Sequence, residues 1–102
     1  MVSEYVYVIS VHEVGPVKVG YCHDPALRCR QLQTGHPEPL SVWYSLASPE
    51  AVNLECYFHR ENAHRRLEGE WFDMTVEHAK ELIAWAAIVV ESSGASTVLS
   101  DF

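Results

Sequence analysis

Two runs of β-branched and aromatic residues lie close together near the start of the chain, at 5–10 and 17–22. Such runs are typical of β-strands, because branched and aromatic side chains pack well on a pleated surface. The segment between them contains Gly15 and Pro16, which are common in turns. We therefore predict that the domain is built on an antiparallel hairpin.

A helix is predicted immediately after this hairpin, over residues 24–33. Asp24 can accept a hydrogen bond from a first-turn amide, and Pro25 at the first helical position loses no hydrogen bond. Gly35 favours a helix end, and the two prolines that follow it prevent continuation. A third strand is predicted over 40–46, where the pattern again becomes apolar and β-branched.

Two further helices are predicted, over 50–67 and 76–90, because neither range contains Gly or Pro. A short extended piece at 70–74 separates them, and 91–102, rich in Ser and small residues, is predicted to be a weakly ordered tail. The expected fold is α/β of the α+β type, with a small three-stranded antiparallel sheet flanked by three helices in one domain over 1–90. The residues expected on the buried side of the last helix are Leu82, Ile83, Trp85 and Ala86.

Length and hydropathy limit the class of protein. The 102 residues are 48% hydrophobic, enough for one packed core, and the longest uncharged apolar run, 82–90, is far shorter than the ~20 residues of a membrane span. We therefore expect no membrane segment. The start of the chain does not resemble a signal peptide, so we expect a cytoplasmic location.

The charge is unevenly distributed. Seven Lys and Arg oppose fourteen Asp and Glu, a net charge of -7, which disfavours binding of nucleic acid by bulk electrostatics. Residues 1–35, however, carry three basic and three acidic side chains, whereas 36–102 carry four and eleven. A phosphate-binding surface is therefore expected in the first third of the chain. The spacing of the Cys and His residues indicates no zinc site.

A polar stripe is predicted on the second helix, where Glu55, His59, Asn62 and Arg66 follow at offsets of four, three and four. Glu55 and His59 alone could be an ordinary surface pair at i and i+4. The stripe lies beside the apolar residues Leu54 and Phe58. A polar stripe next to the core is unusual and is compatible with a functional role.

Several short motifs occur in a fixed order along the chain. They are Tyr5-Val6-Tyr7, Lys18-Val19-Gly20, Arg28 eight residues after that glycine, Leu32-Gln33-Thr34-Gly35, Glu55 with His59, and Gly69-Glu70-Trp71-Phe72. From Tyr5 to about Ile83 this order resembles the GIY-YIG nuclease superfamily, in particular its compact branch with a Lys-Ile-Gly-like second motif. The resemblance implies a GIY-YIG-like fold and a metal-dependent endonuclease that hydrolyses DNA phosphodiester bonds.

The resemblance also implies a site, with Tyr7, Lys18, Arg28 and His59 as catalytic residues and Glu55 as the metal ligand. Mg²⁺ or Mn²⁺ would be the cofactor, since such ions are commonly held by one or two carboxylates together with substrate phosphate. Arg28 could bind two phosphoryl oxygens with its planar guanidinium, whereas Arg30, on another helix face, is expected to be an ordinary surface residue.

Three of these residues have more than one interpretation. Tyr7 could position or deprotonate the attacking water, and Lys18 across the hairpin could assist it or accept a proton. His59 could support Glu55 or contact phosphate. Gly20, with no side chain, would allow the substrate phosphate to approach the backbone closely. Packing roles for Tyr7 and His59 are alternatives that the residue types leave open.

The chain departs from the superfamily pattern at some positions. Tyr5 replaces the glycine of the first motif, Lys18 replaces the tyrosine of the second, and Leu32 stands where many branches place Tyr or His. The alternative function is therefore a catalytically silent module of the same fold that binds nucleic acid or protein. For the endonuclease the expected partner is DNA, with RNA as another possibility, and specificity would come from a partner protein or a structured substrate.

Overall fold

The computed structural model describes the backbone of residues 4–100 and the side chains of 4–92. Its elements are, in chain order, β1 (Glu4–Ser10), β2 (Val17–Cys22), α1 (Pro25–Gln33), β3 (Ser41–Ser48), α2 (Ala51–Glu61), β4 (Arg66–Glu68), β5 (Trp71–Phe72) and α3 (Val76–Ser100). A single turn of 3-10 helix, Ala63–Arg65, joins α2 to β4. The sheet is antiparallel, with strand order β3-β1-β2-β5-β4.

The predicted hairpin is the centre of the sheet, and β1 is covered on both faces. Side chains alternate along a strand, so Val6 and Val8 face α2 and α3 while Tyr7 and Ile9 face the opposite side. The core on the α2 and α3 side is the larger. Its buried members include Val17, Val19, Leu54, Phe58, Phe72, Met74, Ala79 and Ile83.

Helix α1 covers the other face of the sheet, over the small cluster of Tyr7, Ile9 and Leu40. It begins as predicted, with Pro25 in its first turn and an Asp24 side-chain oxygen that accepts the Leu27 N–H at 3.2 Å. None of the residues of α1, all of them within the described range, is fully buried. The helix therefore rests on the sheet through half-buried side chains.

The prediction of three strands was wrong, because the sheet has five. Helix α2 ends at Glu61 instead of continuing to 67, and the last part of the range predicted as helical enters β4. Asn62 ends the helix: its Nδ2 donates to the Phe58 carbonyl at 2.9 Å. The exposed strand β4 has no β-rich sequence of its own and exists through its pairing with β5.

Helix α3 also differs from the prediction. It continues to Ser100 rather than ending at 90, because no proline interrupts it and one glycine in a helix costs only about 1 kcal/mol. Residues 101 and 102 of the predicted tail lie outside the described residues, and the division between a domain at 1–90 and a tail stays a prediction. Within the described part of the chain, no helix is both long enough and apolar enough to cross a membrane.

Trp85 was wrongly predicted to be buried: it is 60% exposed. Among the described side chains of α3, the buried ones are Val76, Ala79, Ile83, Ala86 and Ala87, which follow the helical repeat along one face, so Trp85 points away from them.

The two faces of α3 can be compared by thermal unfolding of Ile83→Ala and Trp85→Ala. Ile83→Ala should lower the free energy of unfolding by about 2–5 kcal/mol, because it leaves a cavity in the core. Trp85→Ala should lower it by less than about 1 kcal/mol, since most of the ring is already in water. A larger loss for Trp85→Ala would contradict this arrangement of α3.

Candidate active site

The candidate site lies at the edge of β2, where its partner strand stops. Of the residues of β2, only Val17 and Lys18 pair with β5. Beyond them, the Val19 N–H donates to the Glu70 carbonyl at 3.1 Å, and the Val19 carbonyl lies 2.8 Å from His59 Nε2. A carbonyl can only accept, so Nε2 carries the hydrogen. At this edge, side chains from the two faces of the sheet meet.

On the α1 side, a connected set of polar groups surrounds the Tyr7 hydroxyl. Arg28 Nε donates to the Tyr7 oxygen at 3.4 Å, and the Tyr7 hydroxyl donates to Glu70 Oε1 at 3.3 Å. Lys18 Nζ lies 3.7 Å from the same Oε1 and 5.6 Å from the centre of the Trp71 ring. The Lys18 ammonium and the Tyr7 phenol thus converge on one carboxylate, and Arg28 is connected to it through the Tyr7 hydroxyl.

On the α2 side, Glu55 and His59 occupy successive turns of the helix next to the same edge. Glu55 is buried, with Oε2 3.7 Å from His59 Nε2. One ligand atom from each of Glu55, His59 and Glu70 lies within 4.8 Å of the others. These three side chains are therefore close enough to hold a metal ion.

The environment changes the protonation of two groups. Burial raises the pKa of Glu55; the nearby His59 partly opposes this, and the Glu70 carboxylate reinforces it. Burial also raises the pKa of Tyr7 to about 12, against the opposing effect of the hydrogen bond from Arg28. Tyr7 is therefore a neutral phenol at physiological pH, and its hydroxyl can donate one hydrogen bond while its oxygen accepts others.

Gly20 is required by the packing of this site. A Cβ at this position would lie 2.5 Å from the Tyr7 hydroxyl oxygen and 2.7 Å from Glu70 Oε1, closer than real contacts allow. Gly20 therefore leaves space for the contact between these two side chains. The sequence pattern did not reveal this reason for a glycine at the position. Its proposed role in the approach of a phosphate stays a prediction.

Most of the residues selected from the sequence lie around Glu70. They are Tyr7, Lys18, Gly20, Arg28, Glu55 and His59. Arg30 is exposed on α1, as expected for a surface residue. Asn62 and Arg66 do not join the site, because Asn62 ends α2 and Arg66 donates from Nε to the Gly69 carbonyl in the β4–β5 turn.

Sequence analysis missed the role of Glu70, although the segment that contains it was noted as a motif. A glycine, an acidic residue and two aromatics in a row could have suggested a turn that presents a carboxylate. A surface cavity of about 450 Å³ lies elsewhere, against Trp43 and Lys80, and includes none of the site residues.

Comparison with known families gives one match: residues 4–87 correspond to the T5orf172 domain. Comparisons with curated proteins and with solved structures gave no significant match.

The raised pKa of Glu55 predicts how this residue affects stability. The folded protein holds the Glu55 proton more tightly than the unfolded chain, so this contribution is present at low pH and is lost as pH rises through the folded-state pKa. Glu55→Gln removes the buried charge, so at pH 7 its melting temperature should equal or exceed that of the wild type.

The difference should shrink as pH falls towards about 4 and vanish below it, where Glu55 is protonated in both states. Thermal unfolding between pH 3.5 and pH 8 measures it. A variant that is less stable than the wild type at pH 7 would contradict the assigned direction.

Proposed function

Because the chain belongs to the T5orf172 domain family, we propose that it is a divalent-metal-dependent endonuclease that hydrolyses DNA phosphodiester bonds. T5orf172 domains are small domains of the endonuclease type, and nuclease-like and DNA-binding functions are associated with them. The observation that carries the proposal is the meeting of Tyr7, Lys18 and Arg28 with Glu55 around one sheet edge.

The finer assignment is to the GIY-YIG nuclease superfamily. The motifs that resemble this superfamily contribute residues to a single site, although Tyr7 and Glu55 are far apart in sequence. Charged side chains normally scatter over a surface, so their convergence here supports a shared chemical role.

The donor atoms at the site fit Mg²⁺ or Mn²⁺. Glu55 offers carboxylate oxygens, the ligand type that these ions prefer, and one protein carboxylate together with substrate phosphate can hold such an ion. His59 Nε2 donates its hydrogen to the Val19 carbonyl, so this nitrogen steadies the ring rather than offering a lone pair. A bound ion would polarise the scissile phosphate and stabilise the leaving oxygen.

The remaining groups bind and orient the reactants. The Nε of Arg28 holds the Tyr7 oxygen, and its Nη groups can bind phosphoryl oxygens of the substrate. Tyr7, a neutral phenol, can accept a hydrogen from the attacking water and so aim the water oxygen at phosphorus. Lys18 adds positive charge where negative charge develops on the phosphoryl group.

Substrate recognition needs more than this domain provides. The basic residues of the first third, Lys18, Arg28 and Arg30, are few against a net charge of -7. We propose that a partner protein or a structured DNA supplies specificity, with RNA as the other nucleic acid to test, and that the protein acts in the cytoplasm.

A silent binding module is the second candidate, favoured by Leu32 in place of a Tyr or His.

Cleavage assays with purified protein and supercoiled, linear and branched DNA test the proposal. Slow nicking should require Mg²⁺ or Mn²⁺ and stop on chelation. Glu55→Gln should abolish it while remaining folded. Cleavage that survives Glu55→Gln unchanged would indicate a contaminating nuclease, and no cleavage of any DNA or RNA form would favour the silent module.

Arg28 and Arg30 form a matched pair two residues apart on one helix. Arg28→Ala should lower the cleavage rate by on the order of 10²–10³, because a preorganised charge is lost from the phosphoryl group. Arg30→Ala removes the same charge from an exposed position and should cost far less. Equal losses of cleavage rate in the two variants would mean that only the overall charge of the protein matters. Arg28 would then have no specific role in the site.

A further inference from the structure

We propose that Glu70 is a positioning residue of this hydrolysis, and that its carboxylate fixes the Tyr7 hydroxyl and the Lys18 ammonium beside Glu55. The inference rests on the proposed function. Glu70, in the β4–β5 turn, would then connect the residues on the α1 side of the site with those on the α2 side.

The backbone of Glu70 is held firmly in place. Gly69 has a φ of 57°, a left-handed conformation that glycine adopts at little cost, and it turns the chain from β4 into β5. The Glu70 carbonyl then accepts the Val19 N–H at 3.1 Å. The side chain therefore starts from a fixed point on the edge of β2, just where β5 ends.

The direction of the hydrogen bonds gives Glu70 its function. Arg28 has only donors, so its Nε–H must donate to the Tyr7 oxygen. The single Tyr7 hydrogen is then directed to Glu70 Oε1. One lone pair of the Tyr7 oxygen is then left to accept a further hydrogen bond, and its direction is fixed. A water could be held at this position. Without Glu70 the hydroxyl could rotate, and that direction would be lost.

The same carboxylate oxygen also faces Lys18. The Lys18 ammonium lies 3.7 Å from Glu70 Oε1, and its side chain is only 12% exposed. A single carboxylate thus balances a largely buried cation and orients a phenol. Because Glu70 is also near Glu55 and His59, it couples the α1 side of the site to the α2 side.

Gly20 provides an independent observation. It is the residue opposite Tyr7 in the β1–β2 register, and a Cβ there would collide with the Tyr7 hydroxyl and the Glu70 carboxylate together. The φ of Gly20 is not positive, so its backbone conformation does not require glycine. The buried Tyr7 ring, whose Cζ would lie 2.8 Å from that Cβ, and the Glu70 carboxylate beside it are what require it.

A double-mutant cycle tests the proposal in the full chain. The rates of DNA cleavage in Mn²⁺ are compared for the wild type, Glu70→Ala, Tyr7→Phe and the double variant. If Glu70 acts through Tyr7, each single change should lower kcat by about 10–100-fold with KM nearly constant, and the double variant should be no slower than the worse single one. Glu70→Gln keeps an oxygen acceptor for Tyr7 and should recover part of kcat.

Mn²⁺ affinity, measured without DNA by electron paramagnetic resonance, separates this role from metal ligation alone. We expect Glu70→Gln to weaken Mn²⁺ binding clearly less than Glu55→Gln does, because Glu55 is the proposed metal ligand. Additive losses in the cycle together with a large loss of Mn²⁺ affinity would overturn the positioning role while the proposed function stands. Absence of cleavage by the wild type would overturn both.

Gly20→Ala disturbs the same contact while keeping both side chains. It should lower kcat about as much as Glu70→Ala, because the new methyl group separates Tyr7 from Glu70. Gly35→Ala is the control: no described atom lies within 4 Å of a Cβ there, so activity should be unchanged. An active Gly20→Ala variant would contradict the proposal. Should Gly20→Ala not fold, the half-exposed Glu70 variants still decide the question.

Discussion

The backbone of Val19 holds the site together. Its N–H donates to the Glu70 carbonyl, and its carbonyl accepts from His59. One residue of β2, on the side where the pairing with β5 has ended, thus ties the β4–β5 turn and α2 to the same point. Unpaired backbone groups of an edge strand must find partners or remain in water. Here one partner is a backbone group and the other a side chain, and the two carboxylates of the site lie close together as a result.

The sequence was most informative where local chemistry determines structure. The hairpin and the beginning of α1 follow from β-rich runs and from the Asp24-Pro25 pair, and both were confirmed. The end of α2 was missed because Asn62, rather than a glycine or proline, stops the helix. Strand β4 was missed because three exposed residues form a strand only once β5 lies beside them, and this pairing is not visible in a local pattern.

The residues of the site divide in the same way, into those that the local sequence reveals and those that only the assembled fold reveals. Tyr7, Lys18, Arg28 and Glu55 could be selected because residue type and spacing follow a known order of motifs. Glu70 stands in the last of these motifs, but its importance depends on how its side chain turns around the sheet edge. That path exists only because Gly20 has no side chain, which becomes apparent when the two strands and the turn are assembled.

Helix α1 has a thermodynamic consequence for the site. None of its residues, within the described chain, is fully buried, whereas α2 and α3 contribute many residues to the main core. Local opening of an element costs less free energy when it buries few apolar groups. The amide hydrogens of α1 should therefore exchange with solvent before those of α2. Arg28 lies on α1, so the guanidinium is the group of the site that can withdraw while the sheet and the Glu55 helix stay folded.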